Sequence, residues 1–111
     1  MAVDAVLTLI AASTTRNAAG VPVQTETEKQ IFCRADSITR AEFFAAGRNG
    51  LDPQWKFTVF HGDYEGEATV AYEGKRYGVY RTYRVPGTDD MELYVERKAG
   101  AEHAAQQEST G

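Results

Sequence analysis

Few side chains in this sequence are of the types that catalyse reactions or bind metals. The two histidines, His61 and His103, belong to no His-x-x-x-His motif, and there is neither a cysteine pair nor a Gly-x-Ser-x-Gly segment. His61 with Asp63 and Glu65 is the one set that could hold a metal ion, but acidic residues beside glycines more often serve turn geometry. The sequence therefore predicts a protein that is not an enzyme, with no catalytic residue, metal site or cofactor.

The single cysteine, Cys33, has no histidine close in sequence and lies in a strand-like segment. A reactive cysteine needs a neighbour that lowers its thiol pKa, and none is evident. We expect Cys33 to be a small residue of the core.

Arginines and tyrosines alternate along residues 76–84, and this pattern allows two interpretations. Oligonucleotide-binding barrels present aromatic rings between basic side chains as a stacking platform for bases. The other interpretation pairs these arginines with carboxylates on adjacent strands. We prefer ion pairing and keep the oligonucleotide-binding barrel as the alternative function. The carboxylates considered are Glu65, Glu67, Glu73, Glu92 and Glu96, and the platform residues are Arg76, Tyr77, Tyr80, Arg81, Tyr83 and Arg84.

The totals describe one globular domain of acidic character. The chain has 111 residues, 42% hydrophobic and 25% charged, with a formal charge of -4. That charge disfavours binding of nucleic acid by bulk electrostatics. No long apolar run or secretory leader pattern is present, which predicts synthesis in the cytoplasm and no membrane association.

The segment over residues 67–85 predicts a β-hairpin around which the rest of the chain is organised. Apolar and polar residues alternate on its first arm, with Ala68, Val70 and Tyr72 on one face. Gly74 supplies the tight turn. On the second arm we expect Tyr77, Val79 and Tyr83 to face the core, and Tyr80 to meet another element or subunit. The predicted core face of the second arm thus consists of Tyr77, Val79 and Tyr83.

Two further segments before the middle of the chain are predicted to be strands. Residues 2–10 indicate an edge or closing strand with Leu7 and Leu9 inward, and residues 13–20 indicate a loop. Residues 23–35 alternate in polarity but become apolar only near Ile31. The first half is therefore expected in solvent or against a neighbour, and the second half in the core.

One short helix is predicted near residues 39–46. Thr39 and Glu42 have the spacing of a capping box, in which the hydroxyl accepts from the Glu42 amide and the carboxylate reaches back to the Thr39 amide. Gly47 ends the helix. A helix of two turns is marginal alone, so we expect Phe43 or Phe44 to dock it on the sheet.

The remaining segments complete an all-β pattern. Residues 55–60 and 91–98 are predicted strands, the latter with Met91, Leu93 and Val95 on one face. We predict a mainly β fold, a small antiparallel barrel of about six strands with one short α-helix and a long loop, over residues 1–98. Residues 99–111 form a tail that has no aliphatic side chain larger than alanine and would need a partner surface to be ordered.

Several segments together resemble the head-closure family of long-tailed phages, also called head–tail adaptor, connector or stopper proteins. They are residues 37–47 (SITRAEFFAAG), 57–60 (FTVF), 62–67 (GDYEGE), 77–83 (YGVYRTY) and 92–96 (ELYVE). Each alone is a plain strand or cap signature, and it is their order and spacing that is similar to the family over roughly residues 5–100. The tail after Gly100 has no counterpart.

That resemblance implies a virion protein of the phage neck, made in the host cytoplasm. Such proteins form a homo-oligomeric ring, commonly a dodecamer, between the portal-side adaptor and the tail terminator or another tail protein. Double-stranded DNA passes through the lumen, and a loop of each subunit helps to retain it. The candidates for the channel loop are Gly47, Arg48, Asn49, Gly50, Leu51 and Asp52, with residues 13–24 as a second choice. The candidates for subunit or partner contacts are Trp55, Tyr80, Arg81 and Tyr94.

Overall fold

The computed structural model describes residues 2–98, and these form a closed antiparallel β-barrel with one helix. The predicted tail over residues 99–111 lies outside the described residues. The strands are β1 (Val3–Arg16), β2 (Pro22–Ser37), β3 (Pro53–Phe60), β4 (Thr69–Tyr72), β5 (Lys75–Arg84) and β6 (Asp90–Arg97). Helix α1 (Arg40–Gly47) joins β2 to β3, and a single 3-10 turn (His61–Asp63) follows β3. The mainly β barrel that the sequence predicts is confirmed.

The strand order around the barrel is β1-β2-β3-β6-β5-β4, with β4 closing on β1. β1 and β2 pair along their whole length, from Val3 with Ala35 to Arg16 with Pro22. The closing contact is much shorter and joins Thr8, Leu9 and Ile10 to β4. The barrel is therefore closed, but the β1–β4 contact that closes it is much shorter than the β1–β2 contact.

The core is filled by alternate residues of all six strands. Leu7 and Leu9 of β1 are both buried, as predicted, and Cys33 is buried beside them. The other buried members of the cluster are Ile31, Ala35, Phe57, Val59, Val70, Tyr72, Tyr77, Leu93 and Val95. The prediction that Leu93 and Val95 share an inward face with Met91 is also confirmed, since Met91 packs partly buried against the cluster.

The hairpin of β4 and β5 forms as predicted, but β4 begins at Thr69 and one face assignment is wrong. Tyr77 is buried and Val79 packs against the core, whereas Tyr83 is 46% exposed. A β-bulge lies between Val79 and Arg81, where the pairing partners change from Val95 to Tyr94. A bulge adds one residue to one strand, so every side chain beyond it changes face. Tyr83 consequently pairs with the outward Glu92 instead of facing the core.

The first half of the predicted loop over residues 13–20 is strand. β1 continues to Arg16, and only the turn at residues 17–21 remains. The Asn17 side chain accepts hydrogen bonds from the amides of Ala19 and Val21, at 2.9 and 3.0 Å, and so closes this turn. Beyond the barrel, residues 11–16 of β1 and 22–27 of β2 pair with each other and with no other strand among residues 2–98. We call residues 11–27, with both strands and the turn, the arm.

Helix α1 begins as predicted but docks differently. The Thr39 hydroxyl accepts from the Glu42 amide at 3.2 Å, which confirms the cap. Phe43 and Phe44 are 49% and 58% exposed, so the expectation that one of them docks the helix is wrong. Ala46 is the helix residue that is buried. Residues four apart share a helical face, so Ala46 turns inward together with Glu42 and leaves both phenylalanines outside.

Candidate interaction surfaces

The predicted contact residues Tyr80, Arg81 and Tyr94 meet in one polar network with Glu42 of α1. The Tyr80 hydroxyl donates to Glu42 Oε2 at 2.7 Å, and Arg81 Nη2 donates to Glu42 Oε1 at 2.6 Å. The Arg81 guanidinium lies over the Tyr94 ring, 3.8 Å from its centroid, at a distance typical of a cation–π contact. We call these four residues the helix latch, because they join α1 to β5 and β6. The expectation that Tyr80 meets another element or subunit is met here by an element of its own chain.

The network continues along β6 and β3. The Tyr94 hydroxyl donates to Glu92 Oε1 at 2.7 Å, and Lys56 Nζ lies 3.7 Å from Glu92 Oε2. Six polar side chains on four elements, α1, β3, β5 and β6, are thus linked through the carboxylates of Glu42 and Glu92 and the contact of Arg81 with the Tyr94 ring. The carboxylate of Glu42 does not serve the reciprocal half of a capping box, as the sequence suggested, because Tyr80 and Arg81 engage it.

Protonation of the helix latch follows from burial and these bonds. Burial alone would raise the pKa of Glu42, but the hydrogen bonds from Tyr80 and Arg81 outweigh it and lower that pKa below the ordinary glutamate value. Burial and the bond to Glu42 raise the pKa of Tyr80, and burial with the bond to Glu92 raises the pKa of Tyr94 to about 12. The bond to Glu42 raises the pKa of Arg81. At neutral pH the carboxylate is charged and both tyrosines keep their protons.

Trp55, the fourth predicted contact residue, lies apart from the helix latch. Its ring stacks on Phe57 at 6.2 Å between centroids and meets Tyr72 edge-on at 5.2 Å. It is partly buried against the core cluster. Most of the Trp55 ring therefore supports the barrel interior, and the prediction of a subunit contact at Trp55 stays a prediction.

The channel-loop candidates form a compact connection between α1 and β3. The amides of Asn49 and Leu51 both donate to the Ala46 carbonyl, and Gly50 N donates to the Gly47 carbonyl at 3.0 Å. Gly50 has φ +78°, a conformation that glycine adopts without strain. Asp52 is bonded to β6, since its carbonyl accepts from Arg97 N at 3.0 Å and its carboxylate lies 3.5 Å from Arg97 Nε. Whether this connection faces a channel stays a prediction.

The stacking platform considered for residues 76–84 does not form a single surface. Tyr77 points into the core and Tyr80 donates to Glu42, so only Tyr83 of the three rings is widely exposed. Arg76 makes a two-pronged contact with Glu26, at 2.9 and 3.0 Å. Arg84 lies 3.9 Å from Asp89. Arginine pairing with carboxylates is thus what the structure shows, although the partners are Glu26, Glu42 and Asp89 and not those the sequence suggested.

Burial makes Cys33 a poor nucleophile. Removal of the thiol from water, with a smaller effect of the Asp4 charge, raises the pKa of Cys33 to about 11. The expectation of a core cysteine is confirmed by its 5% exposure. Within residues 2–98 no cluster of three or more His, Cys, Asp or Glu side chains has the geometry of a metal site.

Two apolar surfaces that the sequence did not predict are open to solvent. One is the cross-strand pair Val6 and Phe32 on the outer face of β1 and β2, 50% and 84% exposed. The other is the pair Phe43 and Phe44, whose rings meet edge-on at 6.0 Å. Because Ile31 and Cys33 face inward, the alternation of β2 indicates that Phe32 between them faces outward. In the same way, the inward position of Glu42 and Ala46 on α1 indicates that Phe43 and Phe44 face outward.

Comparison with known protein families and with curated proteins gave no match. No helix within residues 2–98 has the length and apolar character needed to cross a membrane.

Proposed function

We propose that this chain is a structural protein of the virion neck of a long-tailed phage. Its copies form a ring between the portal-side adaptor and the tail, close the DNA channel and present the surface on which the tail docks. The observation that carries the proposal is the closed small barrel, in which the segments that resemble the head-closure family occupy the helix cap, β3, β5 and β6. The chain is made in the host cytoplasm and is incorporated into the virion.

A structural role is favoured because the conspicuous polar side chains serve the fold. Glu42, Arg81 and Tyr94 join α1 to the barrel, and Glu26 with Arg76 joins the arm to β5. Their charges are matched pair by pair, as expected of groups that position elements. This use of the side chains supports the proposal that the protein is not an enzyme.

Exposed apolar side chains support assembly with partners. A subunit of a ring needs contact surface beyond its own core, and aromatic residues are enriched in such surfaces. Several large apolar residues among those described are more than a third exposed: Val3, Val6, Val21, Val23, Phe32, Phe43, Phe44, Phe60 and Tyr83. The homo-oligomeric ring, the adaptor and the tail terminator are the partners that we propose for these surfaces.

The alternative, an oligonucleotide-binding barrel, has less support from the geometry. Stacking platforms combine several free rings with unpaired basic groups. On β5, Tyr77 is buried and Arg76 and Arg81 are bonded to carboxylates. Binding of a labelled single-stranded oligonucleotide by the isolated chain, abolished by Tyr83→Ala, would favour this alternative.

Two segments are candidates for contact with DNA in the lumen, the connection at residues 47–52 and the arm. The connection is short and hydrogen-bonded to α1 and β6, whereas the arm extends beyond the barrel by about 20 Å, from six residue pairs at about 3.3 Å each. We propose that the connection faces the lumen and the arm faces a neighbour. Deletion of residues 48–50 should let filled heads lose DNA, and retention of DNA would point to the arm.

The neck assignment is tested by removing the gene from the phage or prophage that carries it. Heads should fill with DNA but remain tailless, and their DNA should become sensitive to added nuclease. Expression of the wild-type chain in trans should restore tailed particles, and cryo-electron microscopy of their necks should show its density between two rings. Normal tailed particles without the gene would refute the proposal.

A further inference from the structure

We propose that the arm assembles neighbouring copies by strand addition: the free edge of β1 in one copy pairs with the free edge of β2 in the next. This inference rests on the proposed ring for the identity of the partner, a second copy of this chain. It adds the surface, the strand direction and the residues of the contact.

The first observation is an unusually long unpaired strand edge. Among residues 2–98, β2 has a second strand partner only at Arg34–Ser37, so residues 22–33 are paired on one side alone within that part of the chain. In the same part of the chain β1 meets β4 only at residues 8–10, so residues 11–16 are likewise paired on one side. Natural proteins protect such edges with charge, proline or a covering element, because exposed N–H and C=O groups recruit other strands. The β1 edge of the arm carries no charge from Ala11 to Thr15.

The second observation is the composition of the arm. An isolated two-stranded ribbon is marginally stable in water and usually requires a third strand or a packed face. Every residue from 11 to 30 is exposed, so the arm contributes nothing to the core. Its four threonines and two valines nevertheless have strong strand preference. A third strand from a neighbour would give the arm the support that its own barrel does not.

The third observation is the position of Phe32. It lies at the end of the unpaired β2 edge, on the outer face opposite Val6, and is 84% exposed. A strand added along this edge would place its own side chains directly beside Phe32, since cross-strand neighbours on one face lie about 5 Å apart. Strand addition therefore accounts for the free edge and the exposed ring with one contact.

Charge selects the pairing of unlike edges. Two copies of the β2 edge placed together would bring Glu28 of one copy toward Glu28 of the other, which is unfavourable, whereas Glu26 is already paired with Arg76 of its own chain. Two β1 edges together would leave Phe32 and the longer edge unpaired. The uncharged β1 edge against the β2 edge avoids both costs.

Unlike edges on one arm make a head-to-tail contact, which closes into a ring when the rotation between copies permits. Copies related by rotation about one axis hold their arms in equivalent orientations. β1 of one copy then runs antiparallel to β2 of its neighbour, just as it does to its own β2. A cleft beside Ala11 and Ala12, bounded by residues 65–68, leaves the β1 edge accessible to that neighbour.

Cysteine cross-linking tests the contact. In a Cys33→Ala background, Thr14→Cys is combined with Glu28→Cys, Gln30→Cys or Phe32→Cys, and the concentrated protein is treated with a short bifunctional maleimide. Within one copy Thr14 pairs with Gln24, so Gln30 is about 20 Å away and the short reagent cannot link the two internally. At least one double variant should give a ladder of covalent multimers. Each single variant should stay mostly uncross-linked, and Arg48→Cys with Thr88→Cys, both exposed and far from the arm, is the matched control.

Several outcomes would overturn the inference. Covalent dimers from a single variant would show pairing of like edges, and oligomers seen by light scattering without any ladder would show a different interface. A chain located in virion necks that gives no ladder would refute strand addition and leave the neck function standing. A ladder of multimers from a chain that is absent from virions would support strand addition and refute the neck function.

Discussion

Glu42 attaches α1 to the barrel through its backbone and its side chain together. Its amide donates to Thr39 at the start of the helix, and its carboxylate accepts from Tyr80 and Arg81. The two phenylalanines of the helix are turned outward and Ala46 alone is buried, so apolar burial contributes little to holding the helix. We therefore expect the bonds of Glu42 to carry much of the attachment of α1.

Glu42→Gln should lower the free energy of unfolding by about 1–2 kcal/mol. A hydrogen bond to a charged group is worth about 1.5–3 kcal/mol, and the lower figure applies because the Arg81 side chain is 43% exposed. Urea denaturation measures the loss. Glu28→Gln, at an exposed glutamate of β2, is the control and should change stability by less than about 0.5 kcal/mol.

The effect of Glu42→Gln should also depend on pH. Because the pKa of Glu42 is lowered in the folded state, the unfolded chain takes up a proton first as pH falls. The stabilisation by the carboxylate is complete above the unfolded pKa and disappears as pH falls through the folded pKa. The difference between variant and wild type should be largest near pH 7 and shrink below about pH 4. A difference that stays constant with pH would mean that Glu42 acts through packing alone.

Thr39→Ala removes the helix cap and should cost about 1 kcal/mol, since the Glu42 amide loses its partner. Thr39→Ser retains the hydroxyl and is the matched control. The measurement is again the midpoint of urea denaturation. Equal stability of the alanine and serine variants would show that the cap contributes nothing to the folded state.

At the scale of elements, the arm and the barrel are separable parts of one hairpin. β1 and β2 cross from one to the other without interruption, but side chains are buried only from Leu7 to Ile10 on β1 and from Ile31 to Ala35 on β2. The Glu26–Arg76 and Lys29–Glu65 pairs mark the base of the arm on the barrel. The barrel part of β1 and β2 is therefore the part that contributes buried side chains to stability, whereas the arm is the part that we propose for assembly.

Shortening the arm should separate these two properties. Removing residues 13–16 and 22–25 deletes four cross-strand pairs, keeps the turn and preserves the face of every remaining side chain. The free energy of unfolding of the monomer should change by less than about 1 kcal/mol, because no deleted residue is buried. Self-association should be lost, as measured by analytical ultracentrifugation at matched concentrations. Loss of folding would show instead that the arm belongs to the cooperative unit.

Local patterns of the sequence predicted what local chemistry decides. Alternation placed Leu7, Leu9 and Leu93 inward, and the Thr39 cap set the start of α1. Tyr83 was misplaced because a single bulge residue in β5 inverts the alternation after it. Gly78, directly before the bulge, was the local signal, since a glycine inside a strand often marks a bulge. The partner of Glu42 was missed because Tyr80 and Arg81 lie 38 and 39 residues away, and only tertiary packing brings them near.

At the scale of the whole molecule, net charge determines how strongly the protein would attract DNA. The chain carries a formal charge of -4, and four of its eight arginines, Arg76, Arg81, Arg84 and Arg97, contact carboxylates within residues 2–98. A ring of such subunits would offer the phosphates of DNA little to hold. In a channel through which DNA slides, weak adhesion is a useful property.

The assembled protein should accordingly bind double-stranded DNA weakly. Fluorescence anisotropy with a labelled duplex, at salt concentrations from about 50 to 200 mM, should show little binding and a shallow salt dependence. Lys75→Glu, which adds negative charge at an exposed position of β5, is a control expected to change nothing. Tight binding that falls steeply with salt would contradict an inert lumen.

The short contact between β1 and β4 gives the barrel a direction in which it opens. Fourteen residue pairs join β1 to β2, whereas three join β1 to β4. Thermal fluctuations that part the three pairs would unroll the barrel into a curved, open sheet while the long hairpin stays zipped. The amide hydrogens that bond β4 to β1 would then exchange with solvent sooner than those that bond β1 to β2, although both sets belong to one barrel. The barrel is therefore expected to open first between β1 and β4. A mechanical force applied through the arm would act on β1, the strand that forms this short contact.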